Sequence, residues 1–301
     1  MRTLRVQLTD ECNLHCVYCC HEGTKNDYSI IKNKNLITFI RSCHDVLGIK
    51  RVKFTGGEPL EYDQNIADII SNIQLNDISF SIVTNATNFA KFSALVDAAP
   101  NLEVTISLPV PKRLDYVDVY QQLTGAHDKF TIFNNVINCI DYMIDRHRLF
   151  KINYVLCRGI NTDDKYIQEM LQFAAEHPNL QLRFLETAVN ATNNDRHQMD
   201  RLVFSAKNFE ETLDRLGVNN KINDTRSFSE YNINNTTIKL IKFFCSNSCT
   251  ECPKDKTSLW LTSTGTMKMC SFLPSSTTIK NWQYSKLTEQ LEVDIASRIN
   301  N

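Results

Sequence analysis

Short β-rich runs alternate with helical patterns through the first 190 residues, and that alternation limits the fold more than any other feature. The β-rich runs are 4–9, 51–55, 78–84, 102–108, 151–156 and 180–185. Between them, apolar residues recur at helical spacing near 34–47, 64–75, 89–98, 131–146 and 163–176. Strands separated by helices pair in parallel, because each crossover returns the chain to the same end of the sheet. The expected class is therefore α/β, a parallel sheet curved into a full or partial (β/α)6 barrel.

Beyond about residue 190 the alternation stops. A polar stretch, NATNNDRHQMDR, is followed by a capped helical pattern over 205–217 that ends at Gly217. A hairpin pattern over 259–270 turns at Ser263 to Gly265, and a last helical pattern lies near 284–299. These features predict two domains, a barrel over 1–190 and a small α+β unit over 191–301.

Composition removes several classes of function. Lys and Arg number 33 against 34 for Asp and Glu, a balance that argues against a nucleic-acid polymer or a charged membrane surface as partner. The first residues hold no apolar run of signal-peptide length, and no later stretch suits a spanning helix. The expected location is the cytoplasm, where thiols stay reduced, so eleven cysteines point to metal or catalysis rather than disulfides. Cys43, Cys139 and Cys157 lie on apolar stripes or runs and read as core residues. The other eight fall in two groups: Cys12, Cys16, Cys19 and Cys20, then Cys245, Cys249, Cys252 and Cys270.

Parallel barrels place their chemistry at the C-terminal ends of the strands. The cysteine loop follows the first expected strand, TGGEP (55–59) the second and TNAT (84–87) the third, while Ser107 closes the fourth. A structural zinc site takes four ligands, usually as two C-x2-C pairs, whereas the first loop offers C-x3-C-x2-C. A four-iron cluster takes one thiolate per iron, so three cysteines leave one iron open. Gly56 and Gly57 supply backbone that a ligand can approach closely, and Glu58 suits an ammonium group.

Cys12, Cys16 and Cys19 with Tyr18 before the last, followed by Gly-Gly-Glu after the second strand, resemble the radical S-adenosylmethionine (SAM) superfamily. That resemblance implies a four-iron cluster on these three cysteines, with SAM chelated by the open iron and cleaved reductively to a 5′-deoxyadenosyl radical. It implies SAM contacts from Tyr18, Gly56, Gly57, Glu58, Asn85 and Ser107, and an electron donor of flavodoxin or ferredoxin type. In order along the chain, LRVQLTDECNLHCVYC, VKFTGGEP, LTGAHDKF, KINYVLCRGIN and LRFLE are similar to motifs of the GTP 3′,8-cyclases. Members of that family carry a second four-iron cluster in a C-terminal unit of Twitch or SPASM type. Here Cys249, Cys252 and Cys270 match its ligands, and Cys245 stands as a possible fourth. Arg5, Lys53, Lys151 and Arg183 match cationic positions that the cyclases use for triphosphate or SAM.

The chain also departs from that pattern. Ser258 and Trp260 stand where the cyclases carry an Arg-x-Arg pair, and the chain ends SRINN where they end in Gly-Gly. Two small-substrate readings follow from the resemblance. A nucleotide or nucleoside is favoured by the retained basic residues, and a peptide by Cys245 and the missing arginines.

Overall fold

A computed structural model describes residues 2–19, 31–188, 200–218, 220–233, 236–243, 258–268 and 276–293. The six expected strands are present as β1 (Arg2–Gln7), β2 (Ile49–Thr55), β3 (Ser79–Thr84), β4 (Glu103–Ser107), β5 (Phe150–Leu156) and β6 (Leu180–Glu186). Helices α1 (Asn33–Leu47), α2 (Asp63–Asn72), α3 (Phe89–Ala98), α4 (Val117–Thr124), α5 (Lys129–Asp145) and α6 (Asp164–Glu176) connect them. Later come α7 (Ala206–Arg215), β7 (Lys221–Asp224), β8 (Phe228–Ile233), β9 (Thr236–Ile241), β10 (Ser258–Leu261), β11 (Thr266–Lys268), β12 (Ser276–Thr278) and α8 (Tyr284–Leu291).

β1 to β6 pair in chain order, each parallel to the next. The sheet does not close on itself among the described residues: β10 pairs in parallel with the free edge of β1, and β9 with that of β6. The architecture is a partial barrel whose sheet is continued at both edges by strands from beyond residue 190.

Side chains alternate across each strand, and the two faces differ sharply. One carries Leu4, Val6, Val52, Phe54, Ile82, Val104, Ile106, Ile152, Leu182 and Phe184, all buried against the helices. Each such side chain contributes on the order of 2 kcal/mol by leaving water. α1 turns Leu36, Phe39, Ile40, Cys43 and Leu47 inward and stops at Gly48, which adopts φ +62°. α7 begins in the expected cap, Ser205 accepting from the backbone of Asn208, and Gly217 follows its end at φ +75°. Cys43, Cys139 and Cys157 are buried in the core as expected. No described helix is long and apolar enough to cross a membrane.

Two elements depart from the sequence expectation. α4 was not anticipated, because VDVYQQLT mixes β-branched and aromatic residues with a short helical pattern. The antiparallel ladder β7-β8-β9 was also unread; β7 is only four residues long, and Asn recurs in and between the strands, a residue strands disfavour. The hairpin β10–β11 turns at the expected place, with Gly265 at φ +80°.

Candidate active site

The loops at the C-terminal ends of the strands are tied to one another in series. The first tie joins the cysteine loop to the Gly-Gly turn. The ladder of β1 and β2 runs on past their ends through Leu8 N to Thr55 O (3.0 Å), Gly57 N to Thr9 O (2.7 Å) and Glu58 N to Glu11 O (2.8 Å). A Cβ on Gly57 would lie 1.8 Å from Glu11 O, and one on Gly56, at φ +133°, 2.4 Å from Thr9 O. Only glycine lets the two backbones meet here.

The same loop is held on its far side by α4. His15 N donates to Thr124 O (2.9 Å) and Val17 N to Leu123 O (3.0 Å), and Gly125, at φ +67°, leaves room for the His15 backbone. Cys19 N donates to Cys16 O (3.0 Å), closing a turn that carries the last two thiols. Cys19 opposes the ionisation of both Cys12 and Cys16, and Cys12 that of Cys16. Loss of contact with water pushes the Cys12 thiol up to about 11, although the residue is exposed overall. Burial pushes the half-buried Cys16 up to about 12, against a hydrogen bond from the Tyr18 hydroxyl. Tyr18 is itself driven well above its ordinary range by burial and by Cys16.

Glu58 is the hub of the next tie. It is 2% exposed, and its carboxylate accepts from Leu60 N (2.8 Å), Thr84 Oγ1 (2.5 Å) and Asn85 N (2.7 Å). Burial still outweighs these three donors and pushes its carboxyl up to about 7. Asn85 then donates to Asn13 Oδ1 (2.8 Å), with Cys12 Sγ 3.8 Å away, and Asn13 donates to Thr87 Oγ1 (2.7 Å). The third loop is thereby bonded beside the first cysteine. Its tight shape, with Ala86 at φ +56°, is fixed by Ala86 N donating to Thr84 Oγ1 (2.9 Å) and Asn135 Nδ2 donating to Thr87 O (2.9 Å).

The remaining rim follows the same plan. Buried Asn161, after β5, donates to Pro109 O (2.7 Å) after β4 and accepts from Cys157 N (2.7 Å). At the end of β6, Glu186 accepts from Phe243 N (2.6 Å), after β9, and from Ala206 N at the start of α7. Ser107 is half-buried and in register with Asn153, whose Oδ1 is buried without a hydrogen-bond partner among the described residues. That orphaned acceptor beside a hydroxyl fits a polar ligand at the end of β4.

The sheet face turned away from the helices is half-buried and basic. Arg5, Lys53, Lys151 and Arg183 all lie on it, joined by Arg51, Lys239 and Lys268, which the sequence reading missed. Two acids share it. Glu103 pairs with Lys151 (2.6 Å) and Arg51 (3.7 Å), and Glu230 with Lys239 (2.6 Å). Burial raises the Glu103 carboxyl, but Lys151, with Arg51 and Arg183, holds it below its ordinary value. Burial lowers the Arg183 guanidinium, which feels Glu103 and Arg51 across the curve of the sheet. Arg5 lies 4.5 Å from the centre of the Trp260 ring.

Cys245, Cys249, Cys252 and Cys270 lie outside the described residues, as does Cys20. Among the described residues no three His, Cys, Asp or Glu side chains converge on a position for a single metal ion. The first loop can supply a four-iron cluster with one thiol for each of three irons: Cys12, Cys16 and Cys19 lie on a backbone fixed from both sides, and Cys16 feels the charge of the other two.

Comparison with known proteins identifies the family. Residues 6–174 match the sequence profile of the radical SAM superfamily. A probable GTP 3′,8-cyclase of Pyrococcus abyssi is 31% identical over 71% of this chain and 66% of its own length. A GTP 3′,8-cyclase of Clostridium botulinum is 26% identical over 93% of this chain and 84% of its own. The chain thus spans just under two thirds of the length of the Pyrococcus relative. Among solved structures, Streptococcus suis SuiB bound to S-adenosylmethionine shares the fold with a TM-score of 0.67 at 17% identity, over 97% of this chain and 66% of that one. anSMEcpe bound to AdoMet does so at 0.59 and 17% identity, over 100% of this chain and 82% of that one. With more than half of its residues inside the family profile, the chain belongs to the radical SAM superfamily and is an enzyme.

Proposed function

We propose that Cys12, Cys16 and Cys19 hold the [4Fe–4S] cluster that family membership implies, and that the substrate is a nucleotide or nucleoside cyclised or rearranged on the basic face of the sheet. One observation carries the substrate reading: among the described residues, seven basic side chains share that face with two acids. Such an excess in a half-buried setting favours a phosphorylated ligand over a neutral one. The similarity to GTP 3′,8-cyclases supports the same choice.

When bound, the cluster and SAM together supply a 5′-deoxyadenosyl radical that abstracts hydrogen from a substrate C–H bond. This chain's own residues place the reactants. Thiols held protonated at neutral pH must lose their protons on taking iron, so loading releases protons from Cys12 and Cys16. Gly56 and Gly57 fix the loop, Glu58 and Asn85 brace it, and Ser107 with Asn153 offers a hydroxyl and an acceptor to SAM. Arg5, Lys53, Lys151 and Arg183 orient the substrate anion. Cys249, Cys252 and Cys270 hold a second four-iron cluster of the Twitch type in a unit over 191–301. Cys245 stays out of the ligand set. A flavodoxin or ferredoxin would deliver the electron, in the cytoplasm.

The test is to feed anaerobically reconstituted enzyme SAM, dithionite and single nucleoside triphosphates while measuring 5′-deoxyadenosine. A triphosphate should raise the rate above the substrate-free level. If none does and a peptide does, the substrate is a peptide, as the shared fold with SuiB bound to its precursor peptide SuiA would then suggest.

A further inference from the structure

The cations on the basic face are not equally engaged. Lys151 and Arg51 meet Glu103, Lys239 meets Glu230, and Arg183 donates to Gln181 Oε1 (2.8 Å). Arg5, in the middle of β1, forms no ion pair and no hydrogen bond among the described residues, and its Nε is buried without a partner. Among the described residues its close interaction is aromatic, the guanidinium lying 4.5 Å from the Trp260 ring centre.

The sheet register builds this stack. Arg5 pairs with Trp260 across the β1–β10 boundary and with Lys53 across the β1–β2 boundary. Trp260 is only 9% exposed, so the ring is packed in place. An indole face attracts a guanidinium without consuming any N–H group, whereas a carboxylate would occupy two of them. The stack therefore fixes the plane of the guanidinium and leaves its fork of donors for a ligand.

We infer that Trp260 is a positioning residue for substrate: it holds Arg5 so that the guanidinium, with Lys53 beside it in register, grips a phosphoryl group. This deepens the nucleotide reading and rests on it. Trp260 stands at a position where the cyclases carry an arginine. One cation is absent there, and the cation on the neighbouring strand is oriented by the ring that replaces it.

The test is isothermal titration of the anaerobically reconstituted enzyme with inorganic tripolyphosphate, then with GTP. Trp260→Leu should weaken binding about tenfold, and Trp260→Phe, which keeps a ring, within about threefold. Arg5→Gln should weaken binding at least about thirtyfold. In the Arg5→Gln background, Trp260→Leu should change nothing further, because the ring acts through the guanidinium. Wild-type affinity in Trp260→Leu, or the same tenfold loss with Arg5 already gone, would overturn the inference alone. Failure of the wild type to bind either ligand would remove the nucleotide reading and the inference with it. If Trp260→Leu does not fold, Arg5→Lys keeps the charge without disturbing the seat of the indole. It should bind about fivefold more weakly, since an ammonium presents no planar fork, and unchanged binding would again overturn the inference.

Discussion

Replacing Glu58 with Gln tests whether the rim is braced by a buried carboxyl. Glu58 is enclosed and accepts from Leu60 N, Thr84 Oγ1 and Asn85 N. Gln can keep one of its two oxygens, so an NH2 must face a backbone or hydroxyl donor, which costs about 1–3 kcal/mol. The wild-type carboxyl also titrates unusually, at about 7 against 4.5 for an unperturbed Glu. Below pH 4.5 both folded and unfolded chains hold this proton. Between 4.5 and about 7 only the folded chain does, so its stabilising effect fades as pH rises and is gone above about 7. At 1.36 kcal/mol per pH unit that window amounts to about 3 kcal/mol. Urea unfolding at pH 5, 6, 7 and 8, followed by circular dichroism, measures both effects. Glu58→Gln should be clearly less stable than wild type at pH 5, and the gap should shrink by about 2.5 kcal/mol by pH 8, the rest of the window lying below pH 5. A gap that stays constant across this range would refute the reasoning, because no proton would then be held at Glu58.

Gly57→Ala should destabilise the protein by about 1–3 kcal/mol more than Gly48→Ala. The first drives a Cβ into the Glu11 carbonyl, the second carries only the backbone strain of a side chain at φ +62° with nothing within 4 Å, and thermal unfolding of the two variants compares them. Reconstituted wild type should hold about eight irons and acid-labile sulfide, and the protein lacking Cys12, Cys16 and Cys19 about half; stoichiometric zinc without sulfide would contradict both clusters. In cells lacking GTP 3′,8-cyclase this chain should not take its place, because the resemblance sets Ser258 and Trp260 where the cyclases carry arginines, and two lost charged contacts are worth about 1.5–3 kcal/mol each. Growth on complementation would show that GTP is handled as in the cyclases.

The strands, most helices and the rim motifs were legible because they rest on local patterns. Val52 and Phe54 alternate with Arg51 and Lys53, and Leu36, Phe39, Ile40 and Cys43 share one stripe. The reason for the Gly-Gly turn was only half legible. Sequence suggests glycines for ligand approach, and the structure adds a tight contact between Gly57 and Glu11 of the neighbouring loop. α4 was hidden by its Val and Tyr residues, although Gly125 after LT is a helix-stop signal that could have revealed it. The partners of the basic face were not legible either. Glu103 meets Arg51 from two strands away, and Lys239 joins the face through a strand pairing far along the chain. Likewise, nothing in a linear reading places Trp260 beside Arg5, since parallel register between β1 and β10 brings them together.

Formation of 5′-deoxyadenosine tests the central claim most directly. With SAM and dithionite under anaerobic conditions, the reconstituted wild type should release 5′-deoxyadenosine and methionine, slowly alone and faster with a nucleoside triphosphate. Cys16→Ala should release none, because a loop short of one thiolate cannot hold the cluster that reduces SAM. Cleavage at the wild-type rate by Cys16→Ala would contradict the role assigned to the Cys12–Cys19 loop.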